Sequence, residues 1–283
     1  MSEPLSEPRS EPLSPAPPPS GPLLEVSGLR RTYGAVRAVD DVSFTLAAGG
    51  SLGIVGESGS GKTTTARIIV GLERPDAGRV LLHGRDRTER VRGKAHRLAR
   101  ARQVQLVFQD PFLSLDPRTA VGAALRETLR LHFPGTDHRH RVAELLDQVG
   151  LGSKAAEALP RHLSGGQRQR VAIARALAVQ PAVLVLDEAV AALDVSVQAQ
   201  VLNLLADIRE QTGIGYLFIT HDLGVVRCVT EDVVVLRHGR IVEAGRTAEV
   251  LAAPRHPYTR LLLDSVPRPG WDPQRIAAAR RAL

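Results

Sequence analysis

The sequence predicts an α/β fold: a mainly parallel β-sheet covered by helices, with an antiparallel strand group at its start and an α-helical block inserted within it. Three observations carry this expectation. Apolar runs of strand length alternate with helical patterns from Ala182 onward, as in successive βαβ units. An earlier run of the same buried type, Ser51 to Val55, leads through a glycine-rich loop into a helix-compatible stretch ending at Val70. Between about 112 and 178 the alternation stops and helical patterns follow one another, as expected of an inserted subdomain.

The first 22 residues repeat Ser-Glu-Pro three times and then become APPPSGP. With few apolar side chains to bury, they predict a disordered, partly polyproline tail outside the fold. Leu24 to Gly34 and Ala38 to Leu46 alternate as strands do, and Ala47 to Gly50 turns the chain into Ser51 to Val55. A turn at Pro75 to Gly78 precedes a short strand, Arg79 to Leu82. The run Arg85 to Arg102 holds eight Arg or Lys against Asp86 and Glu89. No aromatic side chain is interleaved to stack bases, so a solvated helix face is the favoured reading over a nucleic-acid site. Gln103 to Phe108 is strand-like and stops at Gln109-Asp110-Pro111. Val121 to Leu131, Arg139 to Val149 and Gly165 to Ala178 carry helical spacing. Val183 to Leu186, Gly215 to Thr220, Val233 to Leu236 and Arg240 to Glu243 read as strands, and Gln198 to Gln211 as a helix.

At 283 residues, 43% hydrophobic and 24% charged, the chain can bury a full core and has ordinary globular composition. No apolar run approaches the roughly 20 residues that span a bilayer. The start is neither a basic-then-apolar leader nor an amphipathic transit sequence, so cytoplasmic residence is the expectation. Cys228 is the single cysteine, which excludes an internal disulfide or a cysteine-built metal site within one chain; the favoured reading is a small buried hydrophobe. The formal charge of +7 suits nucleic acid or an anionic membrane surface and chooses neither.

Gly56 to Thr63 matches G-x-x-x-x-G-K-[ST], between a predicted strand and a predicted helix. Such a loop curls until successive N–H groups point at anionic oxygens, a shape that Cβ atoms obstruct and that Gly56, Gly59 and Gly61 permit. The loop amides, Ser58 and Ser60 included, then surround phosphate. The helix opening at Lys62, with Thr64 in its first turn, adds free N–H groups and a positive dipole end. Lys62 can reach β- and γ-phosphates and Thr63 can place its hydroxyl on Mg²⁺. A buried strand, Val183 to Leu186, ends in Asp187-Glu188, the carboxylate pair a phosphate-loop ATPase needs opposite its metal. Tyr33 offers a flat π-face for adenine or is an ordinary strand aromatic.

Leu163 to Arg170, LSGGQRQR, places Ser164, Gly165 and Gly166 at a helix start suited to anions, or to a plain N-cap at Ser164. With this segment the chain resembles the ATPase subunits of ABC transporters, from about Leu24 to Pro267. The resemblance implies a P-loop NTPase (RecA-like) core with an N-terminal antiparallel β subdomain and an inserted α-helical subdomain. The expected organisation is a tail over 1–22, an ATPase domain over 23–253 with its helical subdomain at about 112–178, and a C-terminal extension over 254–283.

The resemblance also implies roles. Ser164, Gly165, Gly166 and Gln167 would bind the γ-phosphate of ATP held on the other protomer's phosphate loop, and Asp194 would meet that opposing loop. Tyr33 would stack on adenine. Asp187 would hold Mg²⁺, Gln109 would touch the metal and water, Glu188 would act as general base, and His221 would contact the γ-phosphate. Ala189 and Ala191 depart from the family pattern, where proline and a hydroxyl residue are usual.

VFQDPFLSLDPR, DVSVQAQVLNLL, FITHDLGVV and HPYTRLLLDSVP narrow the resemblance to the oligopeptide/dipeptide/nickel importer branch. Some branch members carry a cysteine cluster near the last of these, which Cys228 alone cannot form. The implied protein is a peripheral ATPase on the cytoplasmic face of the membrane. Its partners would be two integral-membrane permease subunits, a second ATPase subunit and, indirectly, an extracytoplasmic substrate-binding protein, with no nucleic acid. The alternatives are an exporter subunit for drug or peptide and a soluble ABC ATPase acting on ribosomes or DNA. The single phosphate loop, single LSGGQ and lack of a heptad run weigh against the latter.

Overall fold

The structure is a computed structural model that describes residues 21–135 and 137–266. The expected tail, apart from Gly21 and Pro22, and the end of the expected C-terminal extension lie outside the described residues. The chain opens with β1 (Leu24–Tyr33), β2 (Val36–Leu46) and β3 (Ser51–Val55), then α1 (Lys62–Val70). Next come β4 (Ala77–Leu82), β5 (Arg85–Asp86), α2 (Lys94–Gln103) and β6 (Val104–Val107). Three helices follow, α3 (Val121–His132), α4 (Arg139–Gln148) and α5 (Gly165–Leu177), with short 3-10 turns between them. Alternation resumes with β7 (Val183–Asp187), α6 (Val195–Thr212), β8 (Gly215–Thr220), α7 (Leu223–Val229) and β9 (Asp232–Arg237). The described part ends with β10 (Arg240–Arg246), α8 (Thr247–Ala252) and α9 (Pro257–Asp264).

Two sheets result. The first is antiparallel, in the order β2-β1-β4-β5; the second runs β10-β9-β3-β8-β7-β6. In the second sheet β9, β3, β8, β7 and β6 are parallel, and β10 pairs antiparallel to β9. This is the expected pairing of an antiparallel start with a mainly parallel sheet. The reason is visible in the residues: Val42, Phe44 and Leu46 are buried while Ser43 and Thr45 are exposed, as a one-faced strand requires, whereas all of β3 and β8 is buried, as a strand covered on both faces requires.

Helices α3 to α5 are not a separate core. Val121, Leu125 and Leu145 share one apolar cluster with Val171 and Ile173 of α5 and with Leu184, Leu186 and Phe218 of the parallel sheet. On the other side of that sheet, Ile68 and Ile69 of α1 join Val26, Val42 and Val80 of the antiparallel sheet. A third cluster ties Val55 and Val235 to α7, α8 and α9 through Val226, Val250 and Tyr258.

Several readings change. Helices α7 to α9 lie where no helix is expected from the sequence, because each is only six to eight residues long and too short to display a period. Helix α6 starts at Val195 rather than Gln198, since Asp194 caps it. Helix α2 buries none of its residues, as a solvated face should. Arg87, in the same basic run, is instead only 2% exposed, bound to Gln103 Oε1 at 2.6 Å and to the Arg100 carbonyl at 3.2 Å. Burial, then the neighbouring Arg100 charge, pushes its guanidinium down to about 10. Cys228 is exposed, not buried: α7 turns Leu223, Val225 and Val226 inward and leaves the thiol on its outer side.

Candidate functional site

The parallel strands set the site. Gly56 follows β3, Asp187 ends β7 and His221 follows β8, so all three lie at the carboxyl ends of adjacent strands, the usual ligand edge of such a sheet. Gln109 is exposed in the loop after β6, at the same edge beside β7. Around that edge, Gly56, Glu57, Ser58, Glu188, His221 and Asp222 line a cleft of about 780 Å³.

The loop from Gly56 to Gly61 curls back on itself. Gly61 caps α1 with φ of +103°, and a Cβ there would stand 2.2 Å from the Ala38 carbonyl oxygen, so only glycine fits. The Lys62 ammonium is buried at 5% exposure and donates to the Gly56 carbonyl at 2.7 Å and the Glu57 carbonyl at 2.8 Å. Burial pushes its pKa down, opposed by the charges of Glu188, Asp187 and Glu57. The buried Ser60 hydroxyl has no protein hydrogen-bond partner, while Ser58 and Gly59 are exposed at the loop tip.

Asp187 accepts from the Thr63 hydroxyl. Burial first, then the adjacent Glu188 charge, raises its pKa, and Thr63, Lys62 and Arg67 offset this only in part. A raised folded-state pKa means that Asp187 favours folding while protonated, and that this contribution is lost as pH rises from the unfolded value through the folded one. At neutral pH the carboxylate therefore costs stability until a cation joins it. We predict that Asp187→Asn stabilises the ligand-free protein at pH 7 by about 0.5–2 kcal/mol, which raises its melting temperature by roughly 2–4 °C for each kcal/mol. Differential scanning fluorimetry would check this; a lower melting temperature would refute the account of Asp187.

Glu188 sits just past β7 with φ of +49°, a left-handed backbone rare for a non-glycine residue. Two bonds hold it there: its amide donates to the Ile219 carbonyl at 2.8 Å, and its carbonyl accepts from Ala191 at 3.0 Å. Its carboxylate meets His221 Nδ1 at 3.1 Å. Ala189 and Val190 are buried in the main core, so the stretch after the carboxylates is anchored by apolar packing in spite of the missing proline.

The remaining sequence-derived positions are apart from this cluster. Ser164 caps α5 in a capping box: its hydroxyl accepts from the Gln167 amide at 3.2 Å, and Gln167 Oε1 accepts from the Ser164 amide at 2.9 Å. The N-cap reading of Ser164 is thus realised, and the amides of Gly165 and Gly166 open the helix. Gly166 is packed against α6, where an added Cβ would stand 2.3 Å from Val197 Cγ1. Asp194 accepts from the Val197 amide at 2.9 Å and the Ser196 hydroxyl at 2.8 Å. Tyr33 is exposed at the end of β1, with its hydroxyl on Glu73 and the Arg31 guanidinium 4.9 Å from its ring centroid.

Sequence reasoning did not anticipate the opposite wall of the cleft, which Leu262, Ser265 and Val266 supply from α9 and just beyond. HPYTRLLL was a legible signal, but it carried no spacing that pointed at the phosphate loop.

Comparison with known proteins bears on the family and the fold. Residues 39–191 match the ABC transporter family model, and residues 242–282 match that of the oligopeptide/dipeptide transporter C-terminal region. The chain is 50% identical over 248 residues to the oligopeptide transport ATP-binding protein OppD of Mycobacterium bovis, covering 87% of this chain and 40% of the relative. It therefore spans well under half of that relative's length. It is 51% identical over 235 residues to a putative peptide import ATP-binding protein of Brucella abortus, covering 82% of this chain and 70% of that one. Among solved structures it is similar to cbiO1 of Clostridium perfringens, part of the ABC transporter complex cbiONQ. The TM-score is 0.74 at 27% identity, over 88% of this chain and 97% of the other. It is also similar to the dimeric cassette MJ0796 in a post-hydrolysis state bound to ADP and Pi, with a TM-score of 0.71 at 29% identity over 79% and 98% of the two chains.

Proposed function

Since the chain belongs to the ABC transporter family, we propose that it is the ATP-binding and ATP-hydrolysing subunit of a membrane importer of peptides or a related small solute. The observation that carries the reading is the convergence of Lys62, Asp187, Glu188 and His221 at the carboxyl ends of β3, β7 and β8. The C-terminal match over residues 242–282 supports import over export. In this reading 23–253 is the ATPase domain, 112–178 its helical subdomain and 254–283 the extension.

Mg²⁺ suits the residues present. The Thr63 hydroxyl and the under-compensated Asp187 carboxylate are hard oxygen donors, and Gln109 lies at the same edge. Among the described residues no cluster of three or more His, Cys, Asp or Glu could hold a metal by itself, which fits an ion that shares its ligands with phosphate. When bound, Mg²⁺ neutralises charge on the phosphates.

The residues divide the work. The amides from Gly56 to Thr64, with Ser58, Gly59, Ser60 and Gly61, cradle phosphate, and Lys62 leaves the two loop carbonyls for β- and γ-phosphate oxygens. Tyr33 stacks on adenine. Glu188 accepts the proton of the attacking water, and His221, released from Glu188, turns to the γ-phosphate. Ser164, Gly165, Gly166, Gln167 and Asp194 close over ATP held by a second ATPase subunit, identical or similar. Gln109 relays nucleotide state to two permease subunits, with an extracytoplasmic binding protein as the indirect partner. No described helix is long and apolar enough to cross a membrane; attachment at the cytoplasmic face is part of the importer reading.

The purified protein should hydrolyse ATP in the presence of Mg²⁺, and Lys62→Ala should lose at least about 10²-fold in kcat/KM, the scale of one lost electrostatic contact to the reacting phosphate. A phosphate-release assay measures both. Undiminished turnover in Lys62→Ala would overturn the proposal.

A further inference from the structure

We infer that Tyr258, in the C-terminal segment, is a positioning residue of the phosphate loop; this rests on the ATP-binding reading of Gly56 to Thr64. The Glu57 amide donates to the Tyr258 hydroxyl at 2.9 Å, across 201 positions of sequence. The Gly56 carbonyl accepts from Lys62 Nζ at 2.7 Å. That N–H and that C=O belong to one peptide unit. The described residues contain no cis peptide, so the two groups point in opposite directions. Lys62 and Tyr258 therefore grip the first peptide of the loop from its two sides.

The tyrosine is built to hold still. It is 2% exposed, shares a core with Val55 and Val235, and carries the Arg237 guanidinium 5.0 Å from its ring centroid. Its backbone amide is fixed by His256 Nδ1 at 3.1 Å, the N-cap of α9. Gly56 is wedged against β9, where an added Cβ would stand 2.3 Å from the Leu236 carbonyl oxygen, so the loop cannot retreat on that side.

The asymmetry between the two grips gives the tyrosine its role. Lys62 must leave the carbonyls to reach phosphate, and from then on the Tyr258 hydroxyl still holds the amide side of this peptide. A loop whose first peptide turns loses the inward direction of its following amides. The same segment supplies Leu262, Ser265 and Val266 to the wall facing Glu188 and His221. The HPYTRLLL stretch thereby becomes part of the nucleotide site and not only a marker of ancestry.

Tyr258→Phe keeps the ring and removes the hydroxyl. It should raise the KM for Mg·ATP about 2- to 10-fold, the range of one net hydrogen bond, with kcat changed less than twofold. Hydrogen exchange on the native protein gives a second reading: without nucleotide, the Glu57 amide should exchange more slowly than those of Ser58 and Gly59. An unchanged KM in Tyr258→Phe, a loss confined to kcat, or fast exchange at Glu57 would overturn the assignment. Lys62→Ala, titrated in parallel, separates the two levels. If it binds ATP as tightly as the native protein, the nucleotide reading fails and not the role of Tyr258 alone.

Discussion

Glu188→Gln should bind Mg·ATP with near-native affinity and hydrolyse it about 10²- to 10⁴-fold more slowly, the range expected when a general base is removed. Gln is isosteric and keeps what the structure asks of this position. It can adopt the φ of +49° that Glu188 holds, its backbone retains the bonds to Ile219 and Ala191, and its side-chain oxygen can still accept from His221. Only proton acceptance is lost, so the defect should appear in kcat and not in nucleotide affinity. Single-turnover phosphate release and equilibrium nucleotide binding would separate the two. Turnover within a few-fold of native would remove Glu188 from the mechanism.

Gly166→Ala should destabilise the protein by about 1–3 kcal/mol, the cost of forcing a methyl group into filled space. The added Cβ would lie 2.3 Å from Val197 Cγ1, and a valine in a helix has essentially one χ1 rotamer in which to avoid it. Gly166, the second glycine of LSGGQ, is therefore required by the contact of α5 with α6, whatever it does for nucleotide. The double variant Gly166→Ala/Val197→Ala tests this, because removing Cγ1 removes the obstacle. Chemical denaturation should show that the double variant recovers most of the loss. No recovery would mean that the cost of Gly166→Ala arises elsewhere.

These two sites show how much was legible in the sequence. Gly56 to Thr63 and Asp187-Glu188 each follow a short, mostly apolar and buried run, and both that pattern and the following turn are local, so the residues announce strand, loop and chemistry together. Strands β3, β7 and β8 accordingly lie where the pattern puts them. What the sequence concealed is contact between distant segments. Nothing near Tyr258 indicates that its hydroxyl reaches Glu57, and nothing near Gly166 that Val197 fills the space beside it. Arg87 looked like one more solvated charge in a basic run because charge runs carry no burial period, yet the turn from β5 to α2 folds it inward. Cys228 failed in the reverse direction: residue type favours burial, but a seven-residue helix has an outer side that some residue must occupy.

The capping box at Ser164 and the cap at Asp194 have a further consequence. Both side chains are satisfied within their own chain, and neither cap lines the cleft that Glu188 and His221 line. One chain thus carries a phosphate loop with its carboxylates and, separately, a helix start suited to phosphate. Two chains arranged head to tail would complete two sites.

The most direct test is the mass of Glu188→Gln in solution, by light scattering, with and without Mg·ATP. A protomer of 30.4 kDa is expected without nucleotide and a species of twice that mass with it. A species that stays at the protomer mass while holding one ATP per chain would contradict it.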